Sequence, residues 1–282
     1  MNSRLYDSHV HTELSPDSSS DPKESCRTAV DLGISGICFT DHAEFAPGEF
    51  IPQEAGVYAM RSRLETLQQD YGGDLEINQG TEIGYHAGRA ADMIEFIDRH
   101  SFDFVLGAVH VVDGIQYSFS SSCKRMAQEG ITARQFCRGY LNAVMGMVDE
   151  VPIDAIAHFD LPKRHGRYFT RNDRREVALE PGSQHWDLVC EILKKMVDND
   201  VLLEVNASGI RQAPQQIYPS PAILRQYRKF GGRLVTFGSD SHTPDNVGFR
   251  FRQLAEQIGK MGLKQAWFRE RRLISYQLVS TE

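Results

Sequence analysis

The sequence predicts an α/β fold closed into a barrel, and two patterns carry that expectation. Short apolar runs alternate with longer helix-forming stretches along the chain, and nearly every apolar run ends in a histidine or a carboxylate. Runs rich in Val, Ile, Leu and Phe that do not alternate with polar residues suit strands buried on both faces of a parallel sheet. Strand then helix, repeated, gives either an open doubly wound sheet or a barrel. In a barrel all the C-terminal strand ends open onto one face, where residues distant in sequence converge. In an open sheet they would spread along an edge.

The strand-like runs are 5–10, 36–40, 75–79, 104–109, 155–157, 201–205 and 233–237. A helix follows the first run: Asp21 reads as its N-cap, Pro22 as its first residue, Glu24 as the capping-box partner and Gly33 as its C-terminal stop. Residues 53–71, 133–149, 186–199 and 220–230 also have helical spacing. Seven strand-helix units, with no long linker and no repeat, predict a single domain over 1–282.

Composition narrows the function classes. Hydrophobic residues make up 41% and charged residues 24% of the 282, which is ordinary for a protein with a buried core. A net charge of -7 repels nucleic-acid backbones, and no dense basic run offsets it. The nearest candidate, Arg269 to Arg272, contains Glu270 and reads as a solvated helix face. Five cysteines (Cys26, Cys38, Cys123, Cys137 and Cys190) form no CxxC and leave an odd count, so reduced thiols in a cytoplasmic protein are expected. Neither a signal-peptide pattern nor an apolar stretch approaching ~20 residues occurs, so no membrane partner is expected. The absence of a G-x-S-x-G elbow sets a serine hydrolase aside.

The strand ends carry the chemistry. They read His9-Val10-His11, Asp41-His42, Glu82, His110, His158-Phe159-Asp160, Glu204-Val205-Asn206 and Asp240-Ser241-His242. His-x-His on a strand points both imidazoles to one side, because side chains alternate with period two. Imidazole with carboxylate suits Zn, Mn or Fe. The candidates outnumber what one tetrahedral ion takes, so two to three divalent ions are expected. Only the sixth strand end is read as lacking a ligand. His100, His165 and His185 lie off the pattern, and His100 and His185 read as structural or surface residues.

The ordered set His9-Val10-His11, Thr40-Asp41-His42, Glu82, Val109-His110, His158-Phe159-Asp160 and Ser239-Asp240-Ser241-His242 resembles the PHP (polymerase and histidinol phosphatase) phosphoesterase family. The likeness runs from Asp7 to His242, and stretches 5–12, 36–42, 104–114 and 203–211 resemble the histidinol-phosphate phosphatase subgroup. It implies a distorted seven-stranded TIM-like barrel, the PHP fold, with three metal positions. His9, His11, Glu82 and Asp240 would hold the first ion. Glu82 would bridge to a second, held by His110 and His158, and Asp17, His42 and His242 would take a third. Many relatives have His where this chain has Asp17. Asp41 would orient a ligand imidazole.

The resemblance further implies hydrolysis of L-histidinol phosphate, a small-molecule phosphate ester of histidine biosynthesis, by a metal-bridging hydroxide. Glu82 and Asp240 would stand at the catalytic centre. Arg164 and Arg211 would fork onto phosphate oxygens, with Asn206 as a further substrate contact. The alcohol needs a proton, which Asp160, His165 or a metal-bound water would give. Two other readings stand beside this one. A PHP nuclease or nucleotide phosphatase would need a basic and aromatic track that is not evident. A non-catalytic metal-binding module would need lost ligands, and the set is complete. The oligomeric state is left open.

Overall fold

A computed structural model describes residues 4–52, 54–170 and 173–276. Its centre is a nine-stranded sheet built from β1 (Tyr6–Val10), β2 (Gly36–Glu44), β3 (Glu76–Gly84), β4 (Phe104–Ala108), β7 (Ala155–Ile156), β8 (Leu202–Asn206), β9 (Leu234–Gly238), β10 (Lys264–Arg269) and β11 (Arg272–Tyr276), hydrogen-bonded in that order. The pairings from β1 to β10 are parallel, and β10–β11 is an antiparallel hairpin. A separate ribbon, β5 (Val111–Val112) with β6 (Ile115–Gln116), follows β4.

All seven expected strands form, with two more in the sheet than the sequence suggested. Residues 269–272 are not a helix face. Arg269 ends β10, Arg272 begins β11, and Glu270 and Arg271 between them have φ of 50° and 59°. Positive φ at both central residues suits a two-residue hairpin turn.

The connecting helices are α1 (Pro22–Asp31), α2 (Glu54–Tyr71), α3 (Ala90–His100), α4 (Ser120–Gln128), α5 (Ala133–Glu150), α6 (Arg174–Val177), α7 (Trp186–Asp198), α8 (Ser208–Arg211), α9 (Pro221–Lys229) and α10 (Phe251–Lys260). Gln53, where the second helix was expected to begin, lies outside the described residues. Asp21 caps α1 by accepting from Lys23 N, while Glu24 pairs with Arg27 instead of closing a capping box. The reciprocal box occurs at α5, between Thr132 and Gln135. No helix is long and apolar enough to cross a membrane among the described residues.

Two apolar cores lie on opposite faces of the strands. The larger packs strand residues such as Ile37, Val105, Leu203 and Val235 against helix residues such as Leu64, Leu141, Ile192 and Ile258. The smaller gathers Tyr6, Cys38, Phe104, Leu106, Ala155, Leu202, Trp267 and Phe268 on the other side. There Trp267 stacks on Tyr6 and Phe268 on Phe104, so β10 packs against β1 and β4 on that face. β1 and the end of β9 are also tied together. Asp240 N donates to His9 O and His11 N to Ser241 O, both at 2.9 Å. Buried Asp7 accepts from Ser239 N and Gly248 N at 2.9 and 2.8 Å, clasping the same seam.

Candidate metal centre

The seam brings His9 and His11 beside Asp240, and the long β2–β3 pairing supplies the facing wall. In that register His42 lies opposite Glu82, and Glu44 opposite Gly84. β2 runs four residues past its expected end, so Asp41 and His42 sit inside the strand instead of beyond it.

Around the first expected position the ligand atoms are tightly grouped. His9 Nε2 and His11 Nε2 are 3.0 Å apart. Glu82 Oε2 lies 3.3 and 3.5 Å from them, and Asp240 Oδ1 lies 3.7 and 3.6 Å from them. A tetrahedral ion with bonds of ~2.0–2.1 Å requires ligand atoms roughly 3.3–3.4 Å apart. The five distances bracket that value, so the donor set fits a divalent ion. The second group repeats it: Glu82 Oε1 lies 3.0 Å from His158 Nε2 and 3.4 Å from His110 Nε2, and the two nitrogens are 3.4 Å apart. Glu82 thus faces one group with each oxygen.

At the third, Asp17 Oδ1 is 3.5 Å from His42 Nε2, and Oδ2 is 3.3 Å from His242 Nε2. The His242 ring stacks on His11 at 4.1 Å. His42 also turns Nδ1 to within 3.0 Å of Glu82 Oε2, which makes it a wall shared between groups. His158 and Asp240 have φ of 29° and 54°. Non-glycine residues in this region carry strain, which accumulates where a site fixes the backbone.

The electrostatics suit cation binding. Burial alone would raise the carboxyl pKa values of Glu82 and Asp240, but the surrounding imidazoles outweigh it and hold both well below the ordinary range. Burial opposes a charge on His9, yet Glu204, Glu82 and Asp240 together raise its pKa well above the usual value. In His11, burial and the neighbouring His242 and His42 push the other way. Protons here therefore balance carboxylates that a metal ion would balance better.

Other expected residues fall less simply. Asp41 touches no imidazole. It accepts from Thr12 N at 2.7 Å, Thr12 Oγ1 at 2.8 Å and Ser15 Oγ at 2.7 Å, and Ser15 Oγ meets His11 Nδ1 at 3.0 Å. It orients His11 through that serine. Asn206 is engaged within the fold. Its amide donates to Glu204 Oε2 and accepts from Ser208 N, both at 2.9 Å, and the residue is fully buried.

His165 is removed as a proton donor. It is fully buried, its Nε2 lies 2.6 Å from Tyr117 O, and burial pushes its pKa down to about 4. Asp160 is also fully buried. Its Oδ2 accepts from Lys163 Nζ at 2.7 Å and Ser220 N at 2.9 Å, while Oδ1 has no hydrogen-bond partner. Arg211 Nη2 donates to Ser239 O and Asp240 O at 2.9 and 3.2 Å, which leaves Nη1 buried and unpartnered beside Asp240. Arg164 is half-buried in the helical turn Leu161–Tyr168.

Two carboxylates that the sequence reading passed over touch the cluster. Glu44 Oε1 lies 2.6 Å from His110 Nδ1, and Glu204 Oε1 lies 2.6 Å from His9 Nδ1. Glu204 stood at the strand end read as lacking a ligand. A cavity of about 690 Å³ opens at the other end of the strands, beside Tyr6, Glu76, Asp103 and Trp267, far from this chemistry.

Fold and side chains together define an α/β protein built around a buried imidazole–carboxylate cluster of metal-binding type. The model of the PHP domain family matches residues 7–208, and the chain belongs to that family. It is 28% identical to a probable histidinol-phosphatase of Deinococcus radiodurans over 274 residues, covering 95% of this chain and 98% of that one. It is 26% identical to a histidinol-phosphatase of Lactococcus lactis over 270 residues, 93% of each. Among solved structures, histidinol phosphate phosphatase from Lactococcus lactis, complexed with zinc, L-histidinol and phosphate, superposes with a TM-score of 0.78 at 24% identity, covering 96% of this chain and 99% of that one.

Proposed function

We propose that this chain is a metal-dependent phosphomonoesterase that hydrolyses L-histidinol phosphate to L-histidinol and phosphate. The observation that carries the reading is the spacing of His9, His11, Glu82 and Asp240, 3.0–3.7 Å in five pairwise distances. The substrate follows from full-length relatives named histidinol-phosphatase. As part of the same reading, the seam between β1 and β9 closes the sheet into a distorted barrel, 1–282 is one domain, and the enzyme acts in the cytoplasm.

Bound divalent ions supply Lewis acidity toward phosphoryl oxygens and lower the pKa of a coordinated water to ~7. His9, His11, Glu82 and Asp240 would hold one ion. His110 and His158, with Glu82, would hold a second, and Asp17, His42 and His242 would hold a third. Arg211 offers its unpartnered Nη1 to a phosphate oxygen while Nη2 stays anchored to Ser239 O and Asp240 O. Arg164, half-buried in the helical turn Leu161–Tyr168, is the second arginine assigned to the phosphate. Asp160, two residues past His158, protonates the departing alcohol through its unpartnered Oδ1, with Lys163 against the other oxygen.

The test is a panel of phosphomonoesters assayed with purified protein after zinc or manganese loading. L-Histidinol phosphate should give the highest kcat/KM. A clear preference for another ester removes the substrate assignment. Absence of hydrolysis across the panel, short oligonucleotides included, removes the enzyme assignment.

A further inference from the structure

We infer that Glu44 and Glu204 are positioning residues that fix the tautomers of His110 and His9, and that Gly84 and Gly238 are the seats that let them do so. The inference rests on the metal-site reading above and adds residues outside the ligand set. The two arrangements match. Each carboxylate sits on a strand next to the one carrying its seat, is at most 9% exposed, and lies 2.6 Å from the Nδ1 of its histidine. A carboxylate at that distance accepts the Nδ1 proton. The lone pair is then left on Nε2, the atom that faces Glu82 in both rings.

The glycines are required for space, not for backbone freedom. A Cβ on Gly84 would stand 1.8 Å from Glu44 Oε2, and one on Gly238 would stand 1.9 Å from Glu204 Oε1 and 2.7 Å from the His9 Cβ. Any side chain there expels the carboxylate from its place against the strand. Glu204 is further fixed because its second oxygen accepts from His158 N at 2.8 Å and from the Asn206 amide at 2.9 Å. That single carboxylate joins His9 in the first ligand group to the backbone of His158 in the second. Asn206, expected at the substrate, acts here by holding Glu204. His11 receives the same service through Ser15 and Asp41. His158 has no such arm, since its Nδ1 is buried without a partner.

Two measurements on the full chain test this. Zinc affinity is read by chelator competition, and the position of the imidazole proton by long-range ¹H–¹⁵N NMR of the zinc-loaded protein. Wild type should show His110 and His9 protonated at Nδ1. Glu44→Ala should lose that signature at His110 and weaken zinc binding about 10–100-fold, the usual cost of removing such a partner. Glu44→Gln, whose amide oxygen still accepts, should keep the tautomer and regain most of the affinity. Gly84→Ala should reproduce the alanine result with Glu44 intact, and Glu204→Ala and Gly238→Ala should do the same at His9. If Glu44→Ala and Glu204→Ala bind zinc as wild type does with tautomers unchanged, the inference is overturned while the metal site stands. If wild type binds no zinc, the metal-site reading fails, and whether the Nδ1 proton of the metal-free protein is lost in Glu44→Ala and Glu204→Ala still decides the role of the carboxylates.

Discussion

Substitutions at single residues separate ligands from neighbours. His11→Ala and Asp240→Ala each delete an atom from the tightest ligand group, so turnover should fall at least 100-fold, with less metal retained after dialysis. His185→Ala, remote from the cluster, should hold kcat/KM within about twofold of wild type. Metal content and steady-state kinetics of the three variants check this, and a His11→Ala protein with full activity and full metal would remove the assignment. Asp160→Asn should lower kcat about 10²–10⁴-fold, the range for loss of a general acid, while metal content is unchanged.

Why the converging side chains were legible and their supports were not has a physical answer. Metal chemistry demands His, Asp and Glu at strand ends, and that restriction is visible in sequence. Glu44 was hidden because the apolar run of β2 stops near Thr40, whereas pairing with β3 carries the strand to residue 44. The Asn206 bond to Glu204 was hidden because an amide that binds substrate and one that fixes a buried carboxylate look alike until the partner is known.

Among elements, the helical turn Leu161–Tyr168 offers a pH test. His165 anchors it to Tyr117 O and lies against Phe136 and Tyr168, where burial lowers its pKa to about 4 from the ordinary 6.5. The folded state therefore favours the neutral ring. Between pH 6.5 and 4 the unfolded chain takes up the proton that the folded one refuses. Stability from this residue is complete above 6.5 and lost as pH falls toward 4. The loss is on the order of 2–3 kcal/mol. His165→Gln keeps an N–H for the carbonyl and removes the titration. Its Tm should decline less steeply than that of wild type across this range, and parallel declines would refute the account.

The seven strands were readable from apolar runs, and α1, α2, α5, α7 and α9 from helical spacing and from Asp21, Pro22 and Gly33 around α1, whereas α3, α4, α10 and the β5–β6 ribbon were not. The β10–β11 hairpin escaped because its turn is Glu270-Arg271, without the Gly or Asn that usually marks positive φ. Its core contacts, Trp267 on Tyr6 and Phe268 on Phe104, span the chain and leave no local pattern.

For the whole molecule, the ligand groups join parts of the fold that the backbone connects only through long excursions. His9 and His11 extend from β1, His42 and Glu82 lie on β2 and β3, His110 and His158 follow β4 and β7, and Asp240 and His242 follow β9. Ions bound among them would tie these strand ends together and neutralise buried carboxylates that protons otherwise balance. An ion that binds only the folded chain stabilises it by RT ln(1 + [M]/Kd), about 2.7 kcal/mol at a hundredfold excess over Kd. For a chain of this size that corresponds to a rise in Tm of about 4–5 °C. Chelator-treated protein should therefore melt lower than zinc-loaded protein by at least that margin, and added zinc should restore it. Asp17→Ala, which alters only the most exposed group, should keep most of the response, whereas His11→Ala should lose most of it. Equal melting of chelated and loaded wild type would mean that the converging side chains form no shared cation site.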